Sequence, residues 1–310
     1  MSDEMSDKQS YFAVLNPAAG AGRCGKLAGP ALDELRAAGI AIEVAETRRA
    51  GDGIALAREA YASGYRKFLA VGGDGTSHEI VNGLFPGVES PCPEGEPPTL
   101  AFLPLGTGNS FLRDFTDRGA AYAKDALLAG KQRRCDVLRL TYAGGVLHYL
   151  NLLSVGFVAD VAALTNRRFK PFGQFGYLLG ILVSLARLRR RAFPLRIDGQ
   201  AALDERRCLF LTFNNSQYTG GTMLIAPQAN SGDGLIEFVR WGPISRIRLL
   251  ANLHTLYDGT HVRHPLAERS AVRRVEFSLD APIDMMIDGE VITARPERIE
   301  VLPGALNVVA

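Results

Sequence analysis

Apolar residues come in short blocks along the first half of the chain, and glycine-containing loops break off most of them. Tyr11–Leu15, Ala41–Ala45, Phe68–Val71 and Thr99–Leu103 each have the length and composition of a buried strand. Helices are predicted between them. Leu27, Leu32 and Leu35 recur at helical spacing, a second helix is expected from about Asp52 to Ser63, Ser77–Asn82 starts a third, and a fourth begins near Phe111. Strand alternating with helix implies a parallel sheet whose strand C-termini share one edge. Three of the strands empty into loops rich in Gly, Asn and Thr on that edge: Asn16–Lys26, Gly72–Thr76 and Pro104–Ser110.

The pattern changes after Arg134. Cys135–Tyr142 and Val146–Phe157 read as strands separated by Ala143-Gly-Gly145, a hairpin signal. Further strands are predicted at Phe193–Ile197, Cys208–Asn214, Leu235–Trp241, Val272–Leu279 and Ile283–Ile287, which makes this half an antiparallel β domain with two helical insertions. The first insertion, residues 172–188, is apolar but broken by glycine and shorter than the ~20 residues of a membrane span. Arg167, Arg168 and Lys170 precede it, and Arg187, Arg189, Arg190 and Arg191 close it. It fits a core helix with a solvated basic end. It also fits a helix at the bilayer interface or along a lipid channel, its arginines facing anionic headgroups, and the two can coexist. The second insertion, Pro243–Tyr257, sets Ile247, Leu250 and Leu253 on one face beside Arg246 and Arg248, the pattern of a packing helix.

Composition adds bounds. The chain has 310 residues, 47% hydrophobic and 22% charged, enough for two domains with separate cores. A net charge of +2 speaks against a general nucleic-acid binder, so basic character is local. Cys24, Cys92, Cys135 and Cys208 form no CxxC pair, which suggests neither a zinc site nor a disulfide framework and fits reduced thiols in a cytosolic protein. The polar stretch Met1–Ser10 lacks an apolar region and reads as a disordered tail, not a signal peptide.

The candidate chemistry centres on Gly72-Gly-Asp-Gly-Thr76. A strand that runs into a glycine turn at a helix N-terminus suits phosphate, because backbone N–H groups point outward and the helix dipole favours negative charge. Asp74 would repel phosphate unless it holds Mg²⁺ or serves a reacting hydroxyl. In the first loop, Gly20-x-Gly22-x-x-Gly25 followed by Glu43 matches a dinucleotide fingerprint. Gly20-xxxx-Gly25-Lys26 matches a Walker A loop except that Leu27 replaces the hydroxyl residue. Among 33 glycines both are within reach of chance. What they share is a glycine loop able to touch phosphate, and three such loops would form one rim. In the second half, Asn230-Ser-Gly-Asp-Gly-Leu235 is either a hard-cation site built on Asp233 and nearby carbonyls or an Asp-Gly turn. Asp288-Gly-Glu290 is either a pair of carboxylates on one strand face, if Gly289 does not bend it, or again a turn.

Taken with Asn16-Pro-x-x-Gly20, Leu103-Pro-Leu-Gly-Thr-Gly-Asn-Ser110 and Met286-Ile-Asp-Gly-Glu290, the Gly72–Thr76 motif resembles the diacylglycerol kinase/sphingosine kinase family of lipid kinases, in its bacterial single-chain layout. The resemblance spans nearly the whole chain. It implies an α/β N-terminal nucleotide domain like that of phosphofructokinase over residues 9–137, to which a tail at about 303–310 returns. A C-terminal β-sandwich would follow over 138–302, with the active site between the two. By position, Asn16, Thr47, Gly72, Gly73, Asp74, Gly75, Thr76, His78, Gly106, Thr107 and Asn109 would hold ATP, with Asp74 at the phosphate–Mg²⁺ centre. Asp288 and Glu290 match the family's proton-accepting carboxylates, although in sphingosine-type members the counterpart of Asp74 is the proposed base. Asn230, Asp233 and Leu235 align with a structural Mg²⁺ site, and the helix around Tyr177–Leu188 lies at the lipid entrance. Ser110 stands where bacterial members tend to have Asp, and His78 replaces the commoner Asn. The expected partners are a lipid substrate and, through residues 167–191, the anionic inner face of the membrane of a cytoplasmic protein. No nucleic acid is expected, and a homodimer stays open. NAD kinase, which shares the Gly-Gly-Asp-Gly-Thr turn, and a nucleotide-gated membrane binder without catalysis are the alternatives.

Overall fold

The structure, a computed structural model, describes residues 10–85, 96–165, 180 and 183–310. It divides into two compact units, one running up to Val137 and including Leu302–Ala310, the other Leu138–Val301.

In the first unit the strands Ile42–Glu46, Tyr11–Leu15, Lys67–Gly72 and Thr99–Pro104 lie side by side in that order, all parallel. The end of the last strand of the chain, Pro296–Val309, adds a fifth parallel position, with Asn307 and Val308 opposite Thr99 and Leu100. Helices Arg23–Ala37, Asp52–Ala62, Asp74–Leu84 and Ala120–Ala129 make the connections. The central strands are buried on both faces and read as unbroken apolar runs, as in any covered parallel sheet. Ala13, Leu69, Val71 and Leu103 meet Leu32 and Leu35 of the first helix in one core.

The second unit is antiparallel. Its main sheet runs Ala267–Val272, Ile236–Trp241, Phe210–Asn214, Leu152–Gly156, Ile283–Ile287, Glu290–Ala294. Side chains alternate across it. Leu153, Val155, Phe213 and Phe238 point into a sandwich core shared with Leu138, Leu195, Val275 and Ile299 from the other strands. Leu152, Phe210, Val239 and Trp241 point the other way, beneath Phe157 and Val161 of the helix Phe157–Leu164 and beneath Leu249 and Leu256. The fold is thus an α/β parallel-sheet unit followed by an antiparallel β-sandwich with helical insertions.

Several boundaries differ from the sequence expectation. The helix after the glycine turn begins at Asp74 rather than Ser77, because Gly73 is fully extended and serves as its N-cap. Phe111–Asp114 is a 3₁₀ turn, and the helix follows at Ala120. The expected strand Val146–Phe157 splits into Gly145–Tyr149 and Leu152–Gly156. Val272–Leu279 splits at Arg273, and Glu290–Ala294 and Pro296–Val309 are additional strands. In the second insertion, helices Arg246–Asn252 and Thr255–Asp258 bury Leu249 and Leu256, and of the face expected to pack only Leu253 reaches the core, while Ile247 and Leu250 are exposed. Most of the first insertion, including Arg167, Arg168, Lys170 and Tyr177, lies outside the described residues. Among those described, no helix is long and apolar enough to cross a membrane.

Candidate active site

The three glycine loops of the first unit pack against one another at the C-terminal edge of its sheet. Gly106 N–H donates to the Gly72 carbonyl at 2.7 Å. A Cβ on Gly106 would stand 2.6 Å from Gly73 Cα, so these two loops touch backbone to backbone as only glycine allows. A Cβ on Gly20 would come within 2.9 Å of the Leu105 carbonyl, which brings in the first loop. Asn16 joins the same edge. Its N–H donates to the Val71 carbonyl at 3.0 Å, and its Oδ1 accepts from Ala18 N–H at 3.1 Å.

Asp74 sits in the first turn of the helix Asp74–Leu84, where the dipole favours a carboxylate. Its Oδ2 accepts from Ser110 N–H at 2.9 Å and its Oδ1 from Phe111 N–H at 3.5 Å, so this carboxylate ties the second glycine loop to the third. Asn109 takes a left-handed conformation, φ 50°, and its amide donates to the Gly106 carbonyl at 3.2 Å. Thr107 is exposed at the tip of that loop. Thr76 Oγ1 is buried at the foot of the turn with no hydrogen-bond partner among the described residues. Thr47 is buried, and both its N–H and its hydroxyl are directed at the Leu15 carbonyl, at 2.9 and 3.4 Å. His78 is also buried, on the second turn of the helix, with the Asn82 amide 3.4 Å from its Nε2.

One positioning residue has no signal in a residue pattern. Glu79 accepts from Gly51 N–H and Gly53 N–H, both at 2.8 Å, and so pins the loop that follows Thr47 to the helix bearing Asp74. In the same loop Asp52 accepts from Arg48 N–H at 2.9 Å and Arg49 N–H at 3.1 Å, bonds that hold its carboxyl below the usual range. The pair Gly51 and Gly53 around an aspartate was the available hint, but the distant acceptor was not legible. Glu43, the acid of the dinucleotide pattern, is bonded to the Tyr65 hydroxyl.

In the second unit, Asp288 and Gly289 form the two-residue turn between the strands Ile283–Ile287 and Glu290–Ala294, with φ of 48° and 91° as a type I′ turn requires. Of the two readings left open for this segment, the structure shows the turn, which sends the two carboxylates into different surroundings. Asp288 is buried and accepts three backbone N–H groups, from Leu150 (3.0 Å), Asn151 (2.9 Å) and Leu152 (3.1 Å). Those donors are freed because the expected strand Val146–Phe157 is interrupted at residues 150 and 151. Burial first, and then the Asp288 carboxylate, raise the Tyr149 hydroxyl well above its usual range. Glu290 is exposed. Asp233 is exposed as well. Its Oδ1 accepts from Leu235 N–H at 3.0 Å, and Asn230 Oδ1 accepts from Gly232 N–H at 3.2 Å, so both side chains serve their own turn. No cluster of three or more His, Cys, Asp or Glu suited to a metal occurs among the described residues.

Comparison with known proteins covers both units. The diacylglycerol kinase catalytic domain matches residues 10–140, and the YegS C-terminal NAD kinase beta sandwich-like domain matches residues 151–310. A Pseudomonas aeruginosa protein named "Probable lipid kinase YegS-like" is 32% identical over 274 residues, 88% of this chain and 86% of its own. The chain belongs to the diacylglycerol kinase/YegS-like family of lipid kinases. Another relative in this family, named diacylglycerol kinase, from Mycobacterium tuberculosis, is 29% identical over 300 residues, covering 96% of this chain and 93% of that one. The fold agrees with a crystal structure of a diacylglycerol kinase from Bacillus anthracis, with a TM-score of 0.69 at 19% identity, covering 97% of this chain and 96% of the other. The glycine loops therefore stand within the kinase domain of a kinase family, and the Asp288–Glu290 turn within its sandwich domain.

Proposed function

We propose that this family member is an ATP-dependent kinase that moves the γ-phosphate of ATP to the hydroxyl of a lipid, with diacylglycerol the first candidate. The observation that carries it is the packing of three glycine loops around Asp74, joined by the Gly106-to-Gly72 hydrogen bond. Such an edge offers backbone N–H groups, a helix N-terminus and no Cβ to block a polyphosphate. The name of the Mycobacterium tuberculosis relative supports diacylglycerol over a sphingoid base or ceramide.

Oxygen donors at the loops suit a hard cation: the Asp74 carboxylate, the Asn109 amide oxygen and the unpartnered Thr76 hydroxyl. Mg²⁺ held there would neutralise charge on the phosphates. The chain's own residues do the rest. The loop N–H groups orient the phosphates, and phosphoryl transfer asks little more than positioning and electrostatic stabilisation. Glu290, exposed and outside the turn's hydrogen bonds, accepts the proton of the lipid hydroxyl, while Asp288 holds the turn in place. Asp74 thereby acts as organiser of the phosphate site, not as base.

Labelled ATP and Mg²⁺ offered in parallel with diacylglycerol, sphingosine, ceramide and NAD test this. Label is expected on the lipid, diacylglycerol foremost. Label on NAD alone, or ATP bound but never consumed, would overturn it.

A further inference from the structure

Four of the seven large apolar residues exposed among the described residues fall in one short stretch, Ile247, Leu250, Tyr257 and Leu266. Ile247 is 83% exposed, the most of any. Ser245 caps the helix Arg246–Asn252 through its side chain, and Leu253 and His254 keep helical torsions into Thr255–Asp258. Ile247, Leu250, His254 and Tyr257 therefore line one outward stripe, spaced three, four and three residues apart, while Leu249 and Leu256 are buried on the opposite side. Single exposed apolar residues are ordinary, but a continuous stripe is a contact surface.

The charge around the stripe says what it contacts. Arg246 and Arg248 flank it, both exposed and with no carboxylate partner among the described residues. Arg190 reaches the same region, its Nε donating to the Ile244 carbonyl at 3.2 Å. Arg190 also lines an open groove of about 550 Å³ with Arg189, Arg191 and Arg207 above the apolar Phe193 and Ile283. Among the described residues, Arg191 is the one of these arginines with a carboxylate partner, Asp160 at 2.6 Å. Cationic side chains ringing an apolar stripe are the composition of helices that lie in the bilayer interface. A second copy of this surface would bring like charges together, and a neutral apolar partner would leave the arginines unanswered.

We propose that this face of the β-sandwich unit docks on an anionic bilayer. Ile247, Leu250 and Tyr257 enter the boundary between headgroups and acyl chains, and Arg189, Arg190, Arg207, Arg246 and Arg248 meet lipid phosphates. The proposal deepens the lipid-kinase reading, on which it rests for the reason the protein should seek a bilayer.

The test is sedimentation of the full chain with phosphatidylcholine vesicles, with and without phosphatidylglycerol and in the absence of ATP. Binding should require the anionic lipid and weaken with salt. Each surface arginine is worth ~1 kcal/mol at an anionic surface, about fivefold, so Arg246→Ala with Arg248→Ala should weaken binding about 30-fold. Ile247→Asp with Leu250→Asp should abolish it, and all variants should melt as the parent does. Inorganic phosphate at millimolar level should not compete, and competition would reduce the surface to a free-phosphate site. Equal binding to neutral vesicles, unchanged binding in both double variants, or self-association lost in Ile247→Asp would overturn the proposal. Turnover of detergent-dispersed diacylglycerol by the same samples separates the two claims, since docking can stand where no lipid is phosphorylated.

Discussion

Asp74 and Asp288 are both aspartates followed by glycine, each in the motif that most resembles chemistry in its own unit, and the structure uses them alike. Asp74 binds the N–H of Ser110 and, more distantly, of Phe111; Asp288 binds those of Leu150, Asn151 and Leu152. Both are carboxylates that hold a loop from another part of the chain. They differ in surroundings. Asp74 is half-buried at a helix N-terminus among glycines that leave room for a ligand, whereas Asp288 is buried inside a hairpin turn with its oxygens turned into the protein. A carboxylate can be indispensable in a kinase motif because it shapes the site. The one left facing outward in the second motif is Glu290.

If Asp288 is an anchor, its removal should be a stability lesion. Asp288→Ala strands three N–H groups in a buried position, and each buried donor left unsatisfied costs ~1–3 kcal/mol, so a loss of at least ~3 kcal/mol is expected in denaturant unfolding. Asp74→Asn should cost only ~1–2 kcal/mol, because a half-buried amide still offers an oxygen to Ser110 N–H. Equal losses at the two sites would erase the distinction between them. The loop contact gives a steric version. Gly106→Ala places a methyl against the Gly73 backbone, so it should destabilise by ~1–3 kcal/mol and weaken ATP binding more than it weakens the fold. Unchanged affinity in calorimetry would place the nucleotide away from this edge.

The most gradual effect is one of pH, confined to the sandwich unit. Burial, and then the Arg139 guanidinium, push the His148 imidazole down to about 4. An unfolded histidine titrates near ~6.5, so between these values the unfolded chain takes up a proton that the folded one refuses. Stability present above about pH 6.5 is therefore lost as pH falls toward 4, by at most ~1.4 kcal/mol per pH unit. His148→Gln should flatten that slope in acid unfolding. Burial lowers His261 in the same direction, so part of the slope should remain.

Much of this was legible in the residues. Apolar blocks ending in glycine mark the parallel strands and their common edge, because a covered strand needs no polar face and a tight loop needs no side chain. The helix start at Asp74 was missed because the N-cap is Gly73, which has no side-chain signature. The interruption at Leu150 and Asn151 was hidden because the segment carries no glycine or proline before Gly156 and a single Asn among apolar neighbours is a weak break signal. The acceptor of the N–H groups it frees is Asp288, more than 130 residues away. Glu79 was missed for the same reason, since its partners Gly51 and Gly53 offer only backbone. Ile247 and Leu250 have the spacing of a packing face, and periodicity does not distinguish a face turned to the core from one turned outward.

The division of labour at Asp288-Gly-Glu290 is tested most directly by measuring unfolding free energy and turnover on the same samples of Glu290→Gln and Asp288→Asn. Glu290→Gln should unfold within about 0.5 kcal/mol of the parent, as exposed substitutions do, and lose the ~10²–10⁴-fold that a general base supplies. Asp288→Asn should lose stability first, with turnover falling in proportion to the folded fraction. A Glu290→Gln protein that still turns over normally, beside a stable Asp288→Asn protein that does not, would reverse the assignment.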